Sequence, residues 1–288
     1  WLRGASERLV VCAHAYAAAP ALVTARWAQA PMAAVVYAAE LESRVPRHRM
    51  SVALLKRAER IVAISEHASR LARARGLSPD RIAVVPPVLA PPWICERPSF
   101  RAPGSALRLV AISRLVEGHK NLELLLRVVS VLARTGIVER LTIVGDGPRR
   151  RDLTAKAAIL GVADLVDFVG VLPDGALGEL LATAHVGLFP SRASLAETTS
   201  EGFGLVIQEL AAAGLPVLCG LAGGAVDAAK PEWSVLLDPD DVRLWATALE
   251  RLFENEIQRA EMAAAALAWA RRIDPLQAPR AMLRAMRP

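Results

Sequence analysis

The second part of the chain alternates short apolar runs with segments of helical spacing, and this alternation limits the possible folds more than any other feature. Six apolar runs stand at 107–112, 141–145, 166–170, 185–189, 216–220 and 234–238. Helical patterns lie between them, for example at 121–133 and 205–213. Strands that alternate with helices form parallel sheets with both faces covered. We therefore predict a complete doubly wound α/β domain in this part of the chain.

The first hundred residues repeat the pattern in a shorter form. Four apolar runs, at 9–13, 33–37, 61–64 and 82–85, predict four parallel strands joined by helices. The proline-rich stretch 84–98 cannot continue as a helix or a central strand, so it predicts a linker. Four strands are fewer than the roughly six of a full doubly wound sheet. Since the chain also begins with Trp1, we expect that this first domain lacks its initial strands.

The predicted fold class is therefore α/β, with two facing doubly wound domains of which the first is truncated. A length of 288 residues agrees with two domains. The predicted boundaries are a first domain at 1–98, a linker at 99–106, a second domain at 107–255 and C-terminal helices at 256–288.

Composition excludes several classes of protein. The three cysteines, Cys12, Cys95 and Cys219, show no paired spacing, which argues against a disulfide framework or a zinc site. The five histidines are equally scattered, and we interpret them as core or surface residues and not as metal ligands. The longest apolar region, 12–39, is interrupted by prolines and an arginine, so it does not predict a membrane span. With no secretion signal recognised, we expect a cytoplasmic protein that could associate peripherally with a membrane.

The net charge of +6 is concentrated in the first hundred residues, which hold 14 Lys and Arg against 7 Asp and Glu. Much of the excess falls between Arg44 and Arg81, on two predicted helices. That segment contains no Phe, Tyr or Trp, so it lacks the stacking residues of a nucleic-acid site. We interpret it as a surface for anionic lipid or a phosphorylated substrate. A merely solvated basic face is an equally good alternative.

The stretch 189–217 has the composition of a ligand-binding loop and helix. A strand end and a polar loop, 190–200, precede Gly202 and Gly204, which let backbone N–H groups approach a ligand, and a helix N-terminus favours phosphate. We expect Glu201 at the mouth of this helix and Glu209 two turns inside it. At ~1.5 Å per residue the two carboxylates would be roughly 12 Å apart, too far for one acid/base pair. They are expected to hold different parts of one long ligand.

Other loops should open on the same edge of the second sheet. The loop 113–121 carries Arg114 and Lys120, two cations that suit a diphosphate. The segments 145–153 and 222–228 follow two further strands and contain glycines. Three acidic residues at a strand-to-helix junction resemble a metal site, but we interpret them as helix caps: Asp238, Asp240 and Asp241.

These motifs together resemble one enzyme family. The sequence EGFGLVIQE (201–209) followed by AAAGLPV, with SRLVEGHKN and IVGDGPRRRDL upstream, is similar to the retaining glycosyltransferases of family 4, which have the GT-B fold. The resemblance covers 107–255 and, more loosely, 9–106. It implies transfer of a sugar from a nucleotide diphosphate sugar to a glycan or lipid-linked acceptor, with retention of configuration and with neither metal nor cofactor.

The resemblance also implies roles for individual residues. Arg114 and Lys120 would neutralise the diphosphate, Glu201 would contact the sugar, and these three are the catalytic candidates. Glu209 would hold the ribose. The remaining donor-binding candidates, several of them through their backbone, are Ser113, Gly145, Gly170, Val171, Gly202, Phe203, Gly204 and Leu205.

The chain departs from the family pattern at several places, and its loop 191–200 is longer than expected. TyrAlaAlaGlu (37–40) stands where the family usually has His, GlyGlyAlaValAsp (223–227) lacks the usual Glu, and the family's first glycine-rich loop has no counterpart. Two alternatives therefore stay open. One is a nucleotide-sugar epimerase of similar fold, and the other is a non-catalytic protein that binds sugar nucleotides or membranes.

Overall fold

The computed structural model describes residues 8–88, 105–116, 118–193 and 200–287. These residues form two compact units. Unit 1 consists of Trp1–Val88, Leu195–Phe203 and Asp274–Pro288, and unit 2 consists of Leu89–Ser194 and Gly204–Ile273. The predicted C-terminal helices, 256–288, are thus divided between the units. Most of the predicted linker lies outside the described residues.

Each unit contains one parallel sheet, and all ten strands fall on predicted apolar runs. Unit 1 has four strands in the order β1-β2-β3-β4, and unit 2 has six in the order β10-β9-β8-β5-β6-β7. The strands are β1 Val10–Cys12, β2 Met32–Val36, β3 Arg60–Ala63, β4 Ile82–Val84, β5 Leu107–Ile112, β6 Val138–Val144, β7 Val166–Gly170, β8 Val186–Phe189, β9 Val217–Gly220 and β10 Ser234–Leu237. The predicted α/β class with parallel sheets is confirmed.

The helices connect these strands or follow them. In chain order they are α1 Ala18–Ala28, α2 Ala38–Glu42, α3 Pro46–Leu54, α4 Glu66–Ala74, α5 Leu122–Leu132, α6 Arg150–Ile159, α7 Asp174–Thr183, α8 Leu205–Ala212, α9 Ala225–Ala228, α10 Val242–Glu254, α11 Glu256–Arg271 and α12 Gln277–Met286. The apolar positions of α5 cover the core of unit 2, with Leu125 and Leu126 fully buried. This periodicity is what made α5 predictable.

The strand order of unit 2 reverses beside β5. The chain passes from β5 to β6 and β7 on one side and then returns to β8 on the other side, with Leu109 of β5 paired with Val186 of β8. In open parallel sheets ligands bind outside the carboxyl ends of the strands at such a switch point. The loops after β5 and β8 therefore define where a ligand site should lie.

Helix α8 packs closely on β8 because Gly187 has no side chain. A Cβ at Gly187 would lie 2.9 Å from Leu210 of α8. Since real Cβ atoms do not approach carbon this closely, only glycine lets the helix lie so near the strand. This contact sets how closely α8 packs on β8.

The helix predicted at 205–213 is confirmed as α8, with Glu201 four residues before its first residue, but the placement of Glu209 two turns inside it is wrong. Helix α8 begins at Leu205, because Gly204 has a left-handed backbone with a φ of 91° that does not continue into a helix. Glu209 is only the fifth helical residue, just past the first turn. The distance derived from eight helical residues therefore does not apply.

Candidate functional site

At the carboxyl edge of the unit 2 sheet, the loops after β5 and β6 lie backbone to backbone. Ser113 N donates to Val144 O at 2.9 Å, and Leu115 N donates to Asp146 O at 3.0 Å. A Cβ on Gly145 would lie 2.0 Å from Ser113 O. A side chain does not fit at such a distance. Glycine at position 145 therefore lets the loop after β6 pack against the loop after β5, which carries Arg114 and Lys120.

The end of β7 joins the same arrangement. Gly145 N donates to Gly170 O at 2.7 Å, and Gly170 itself has a left-handed φ of 76°. Arg150 lies beside this junction, because its guanidinium donates to Phe168 O at 2.6 Å. Val171, the next residue, is exposed. The predicted donor-binding residues Ser113, Gly145, Gly170 and Val171 are thus on adjacent loops of one sheet edge.

At the switch point, the loop after β5 reaches the end of β8. The Lys120 ammonium lies 5.9 Å from the centre of the Phe189 ring, which is a cation–π distance. Arg192 N donates to His119 O at 2.8 Å and ties the two loops together. Arg114, on the same loop as Lys120, is exposed. Both predicted cations are therefore carried by the loop that follows β5.

The amino end of α8 lies beside Phe189, at the same end of β8. A Cβ on Gly204 would lie 3.5 Å from the Phe189 ring and 2.9 Å from Ile207. Among the residues that the structure describes, no side chain caps this helix, and Leu205 is partly exposed. Backbone N–H groups at an uncapped helix start, together with the helix dipole, favour an anion.

Glu209 carries a perturbed carboxyl group on α8. Burial raises its pKa, and the negative charge of Asp174, at the start of α7, raises it further. Within the described part of the chain, no hydrogen bond or ion pair satisfies the Glu209 carboxylate. A half-buried carboxylate of this kind is able to accept hydrogen bonds from a ligand. Asp174 was missed at the sequence level, although its position four residues after β7 was a signal.

The remaining predicted residues, Glu201, Gly202 and Phe203, belong to unit 1. A Cβ on Gly202 would lie 3.6 Å from Ile64. Just before them, Ser200 N donates to Glu42 at 2.8 Å, and the Ser200 hydroxyl lies 2.7 Å from His67 Nε2. Residues 194–199 of the polar loop lie outside the described residues. The predicted contacts of this segment with a sugar stay a prediction.

Of the three acidic residues predicted to be helix caps, the structure confirms Asp241, whereas Asp240 Oδ1 accepts a hydrogen bond from Arg192 at 3.2 Å. Asp241 Oδ1 accepts hydrogen bonds from the N–H groups of Arg243 and Leu244 at the start of α10. Asp238 Oδ1 accepts one from Asp240 N. In residues 8–88, 105–116, 118–193 and 200–287, no three His, Cys, Asp or Glu side chains are grouped so that they could hold a metal ion.

None of the described helices combines the length and the apolar composition that a membrane-spanning helix needs.

Sequence comparison finds relatives among glycosyltransferases. The chain is 34% identical over 163 residues to a GDP-mannose-dependent α-(1-6)-phosphatidylinositol monomannoside mannosyltransferase of Mycolicibacterium smegmatis, covering 56% of this chain and 42% of the relative. It is 32% identical over 237 residues to the D-inositol 3-phosphate glycosyltransferase of Thermomonospora curvata, covering 74% of this chain and 53% of that one. The chain thus spans about half the length of the curated relatives it matches.

Solved structures show the same fold. Anabaena HepE, crystallised in complex with UDP, superposes with a TM-score of 0.79 at 19% identity, covering 96% of this chain and 78% of HepE. The lipopolysaccharide outer core galactosyltransferase WaaB superposes with a TM-score of 0.76, also at 19% identity, covering 99% of this chain and 76% of WaaB. At such identity the likeness concerns the fold alone, which is of the GT-B type.

A family model extends over most of unit 2. The model of the glycosyl transferases group 1 matches residues 96–269, more than half of the chain. This range contains the loops after β5, β6 and β7, the start of α8 and Glu209. The chain therefore belongs to the glycosyl transferases group 1 family.

Proposed function

We propose that this protein transfers a sugar from a nucleotide diphosphate sugar to a hydroxyl group of a glycan or lipid-linked acceptor. The observation that carries the proposal is the grouping at the carboxyl edge of the unit 2 sheet. There the cation-bearing loop after β5, the uncapped start of α8 and the unsatisfied carboxylate of Glu209 belong to one compact unit.

Each part of this grouping matches one part of such a donor. Arg114 and Lys120 supply positive charge for the diphosphate, and the N–H groups at Leu205 add the helix dipole. Glu209 accepts hydrogen bonds from the ribose hydroxyls. The exposed Val171, next to the buried Gly170, receives the base, and Ser113 and Gly145 shape the floor between base and phosphate.

In this proposal the catalytic effect comes from stabilising the departing diphosphate. Charge that develops on the leaving oxygen meets preorganised donors, and such electrostatic stabilisation usually contributes most to enzyme catalysis. Arg114, Lys120 and the α8 N-terminus provide this stabilisation without a metal ion. Glu201 contacts the sugar, and the reaction retains the anomeric configuration.

The names of the relatives support a choice of ligands to test. The mycobacterial relative is named for GDP-mannose, whereas HepE was crystallised with UDP. We propose that the base is guanine or uracil, and that the acceptor is a polyol or a lipid-linked glycan. The basic helices α3 and α4 would then bring the protein to an anionic membrane surface.

Incubation with radiolabelled UDP- and GDP-sugars, with and without polyol acceptors, tests the proposal. Free nucleoside diphosphate together with a labelled glycoside is the expected result. An epimerase would instead change the sugar and leave it attached to the nucleotide. A non-catalytic binder would leave the donor intact, and either outcome would refute the proposal.

A further inference from the structure

Three polar side chains of unit 1 form a cluster around Ser200, which we call the Ser200 cluster. Glu42 is the last residue of α2, His67 lies on α4, and Ser200 stands five residues before the first residue of α8. The side chains of Glu42 and His67 are each 17% exposed, and Ser200 is 8% exposed. Polar groups this far from water need hydrogen-bond partners, and here they have partners in one another.

Glu42 accepts two hydrogen bonds from Ser200. The Ser200 backbone N–H donates to Glu42 Oε2 at 2.8 Å, and the Ser200 hydroxyl donates to Glu42 Oε1 at 2.6 Å. One carboxylate oxygen thus holds the backbone of Ser200, and the other holds its side chain. Two hydrogen bonds to a charged acceptor fix both the position and the orientation of this residue.

His67 is the third member of the cluster. Its Nε2 atom lies 2.7 Å from the Ser200 hydroxyl oxygen and 3.5 Å from Glu42 Oε1. The single hydroxyl hydrogen of Ser200 goes to Glu42, so the hydroxyl oxygen is left to accept a hydrogen bond from His67 Nε2. Burial on its own would raise the pKa of Glu42, but the hydrogen bonds from His67 and Ser200 together lower it below its usual value. Glu42 is therefore a charged acceptor at neutral pH.

The segment that follows Ser200 leads into α8. Glu201 is the next residue, and Gly204 is the first residue of this segment that belongs to unit 2. A Cβ on Gly202 would be in van der Waals contact with Ile64 at 3.6 Å, so the segment lies against unit 1. Because consecutive Cα atoms are about 3.8 Å apart, fixing Ser200 limits where Glu201 can be.

We propose that Ser200, Glu42 and His67 are positioning residues for Glu201. They hold the segment before α8 on unit 1, so that the Glu201 carboxylate meets the sugar of the donor in the orientation that transfer requires. The three residues themselves do not touch the donor. Holding a group in place matters because even a small misplacement of a reacting or orienting group lowers the rate. The role in transfer rests on the proposed function, whereas the anchoring of the segment does not.

The kinetics of Ser200→Ala test the positioning role, with UDP-glucose and GDP-mannose as donors and myo-inositol as the acceptor. The variant should lower kcat about tenfold and leave the donor KM nearly unchanged, because the lost hydrogen bond orients Glu201 and does not bind the nucleotide. Ser200→Thr keeps the hydroxyl group and should retain most of the rate. Ser130→Ala in unit 2, which removes a hydroxyl hydrogen bond to Leu160 O, is the matched control and should leave kcat unchanged.

A double-mutant cycle shows whether Ser200 acts through Glu201. Glu201→Gln should lower kcat on its own, and adding Ser200→Ala to it should lower kcat no further. Glu42→Gln should behave like Ser200→Ala, since an amide has one acceptor oxygen for the two donors of Ser200. An unchanged kcat in Ser200→Ala would overturn the proposal. A loss from Ser200→Ala that is just as large in the Glu201→Gln background would do the same.

Hydrogen exchange keeps this test separate from the proposed function. The amides of residues 200–203 should exchange faster in Ser200→Ala than in the unaltered protein, because their local opening becomes easier. UDP and GDP should bind both proteins equally, since the nucleotide site lies in unit 2. If the unaltered protein transfers no sugar, the proposed function fails, and hydrogen exchange alone decides the anchoring. Equal exchange in the two proteins would overturn the anchoring whatever the activity.

Discussion

Glu209 is the residue whose ionisation should control donor binding. Burial and the nearby Asp174 both raise its pKa, so its charged form is lost at a higher pH than that of an ordinary glutamate. Since the charged form accepts hydrogen bonds from the ribose best, affinity for nucleoside diphosphate should fall as the pH is lowered through this raised pKa. Calorimetry from about pH 8 to about pH 5 measures this fall.

Two variants test this account of Glu209. Asp174→Asn removes the negative charge and should move the fall in affinity to lower pH. Glu209→Gln should bind nucleoside diphosphate more weakly, with the part of the pH dependence due to Glu209 removed and with stability unchanged or improved. Comparison of variants cancels the titration of the phosphate itself. A Glu209→Gln variant with intact donor affinity and a strongly lowered melting temperature would make this carboxylate structural.

Glu40 should make the stability of unit 1 depend on pH. Burial raises its pKa from 4.5 to about 7, so the folded state binds more protons than the unfolded state between these values. The stability contributed by the protonated form is complete below pH 4.5 and is lost as the pH rises through about 7. The loss is at most about 3 kcal/mol.

Urea unfolding at several pH values measures this contribution. Glu40→Gln mimics the protonated carboxyl group, so its stability should change less with pH and should exceed that of the unaltered protein at about pH 8. Glu59→Gln, at an exposed site, is the matched control and should follow the unaltered protein. Parallel curves for Glu40→Gln and the unaltered protein would contradict the raised pKa.

At the scale of elements, the contact between the β5 and β6 loops depends on one glycine. Gly145 and Gly136 both have positive φ, at 121° and 72°, but only Gly145 faces a backbone oxygen at 2.0 Å from its virtual Cβ. Gly136→Ala should cost only the strain of the left-handed backbone, roughly 1–2 kcal/mol. Gly145→Ala should cost clearly more and should also abolish nucleotide binding. Equal melting temperatures for the two variants would show that the loops are not locked together.

The segment 44–81, which includes α3 and α4, carries the predicted membrane surface, but not all of its positive charge is available to lipid. Arg75 donates to the carbonyl oxygens of Leu41 and Ser43, and Arg81 to those of Lys56 and Ala58. Those two arginines are engaged in hydrogen bonds with the backbone of unit 1. Arg70 and Arg73, on the exposed face of α4, are the ones that should meet lipid.

Sedimentation with vesicles tests this surface. The protein should sediment with anionic vesicles in preference to neutral ones, and salt should weaken the attraction. Replacing Arg70 and Arg73 with Ala should reduce binding, whereas Arg134→Ala in unit 2 should not. Equal sedimentation with anionic and neutral lipid would leave the basic helices a solvated face.

At the scale of the whole molecule, the features that could be predicted from the sequence are those marked by runs of buried apolar residues. The ten strands in the described part of the chain were predicted because each is a short apolar run between helices, and their parallel pairing followed from the alternation. The start of α8 was predicted correctly at 205, but Glu209 was placed too deep because its depth was counted from Glu201 and not from Leu205, where the helix begins. The close contact of His14 with Glu40 was missed because the two residues are 26 positions apart in sequence and meet only through adjacent strands.

The same reasoning applies to the donor site. Loops that follow parallel strands must share an edge, so Ser113, Gly145 and Gly170 could be grouped from the sequence. The raised pKa of Glu209 could not be predicted from the sequence. Its main cause is burial of the carboxyl group, which depends on how deeply α8 packs against β8, and its second cause is the charge of Asp174. Packing of that kind was possible only through Gly187, which the strand pattern does not mark as special.

The central claim is that the switch point of unit 2 binds a nucleoside diphosphate through Arg114 and Lys120. Isothermal titration calorimetry with UDP and GDP, and with uridine and guanosine, tests it on the unaltered protein, Arg114→Ala, Lys120→Ala and the exposed control Arg134→Ala. Each site variant should lose ~1.5–3 kcal/mol of diphosphate binding, about 10- to 150-fold in Kd, while nucleoside binding and the control stay unchanged. An equal loss for diphosphate and nucleoside, or no loss for either, would contradict the account.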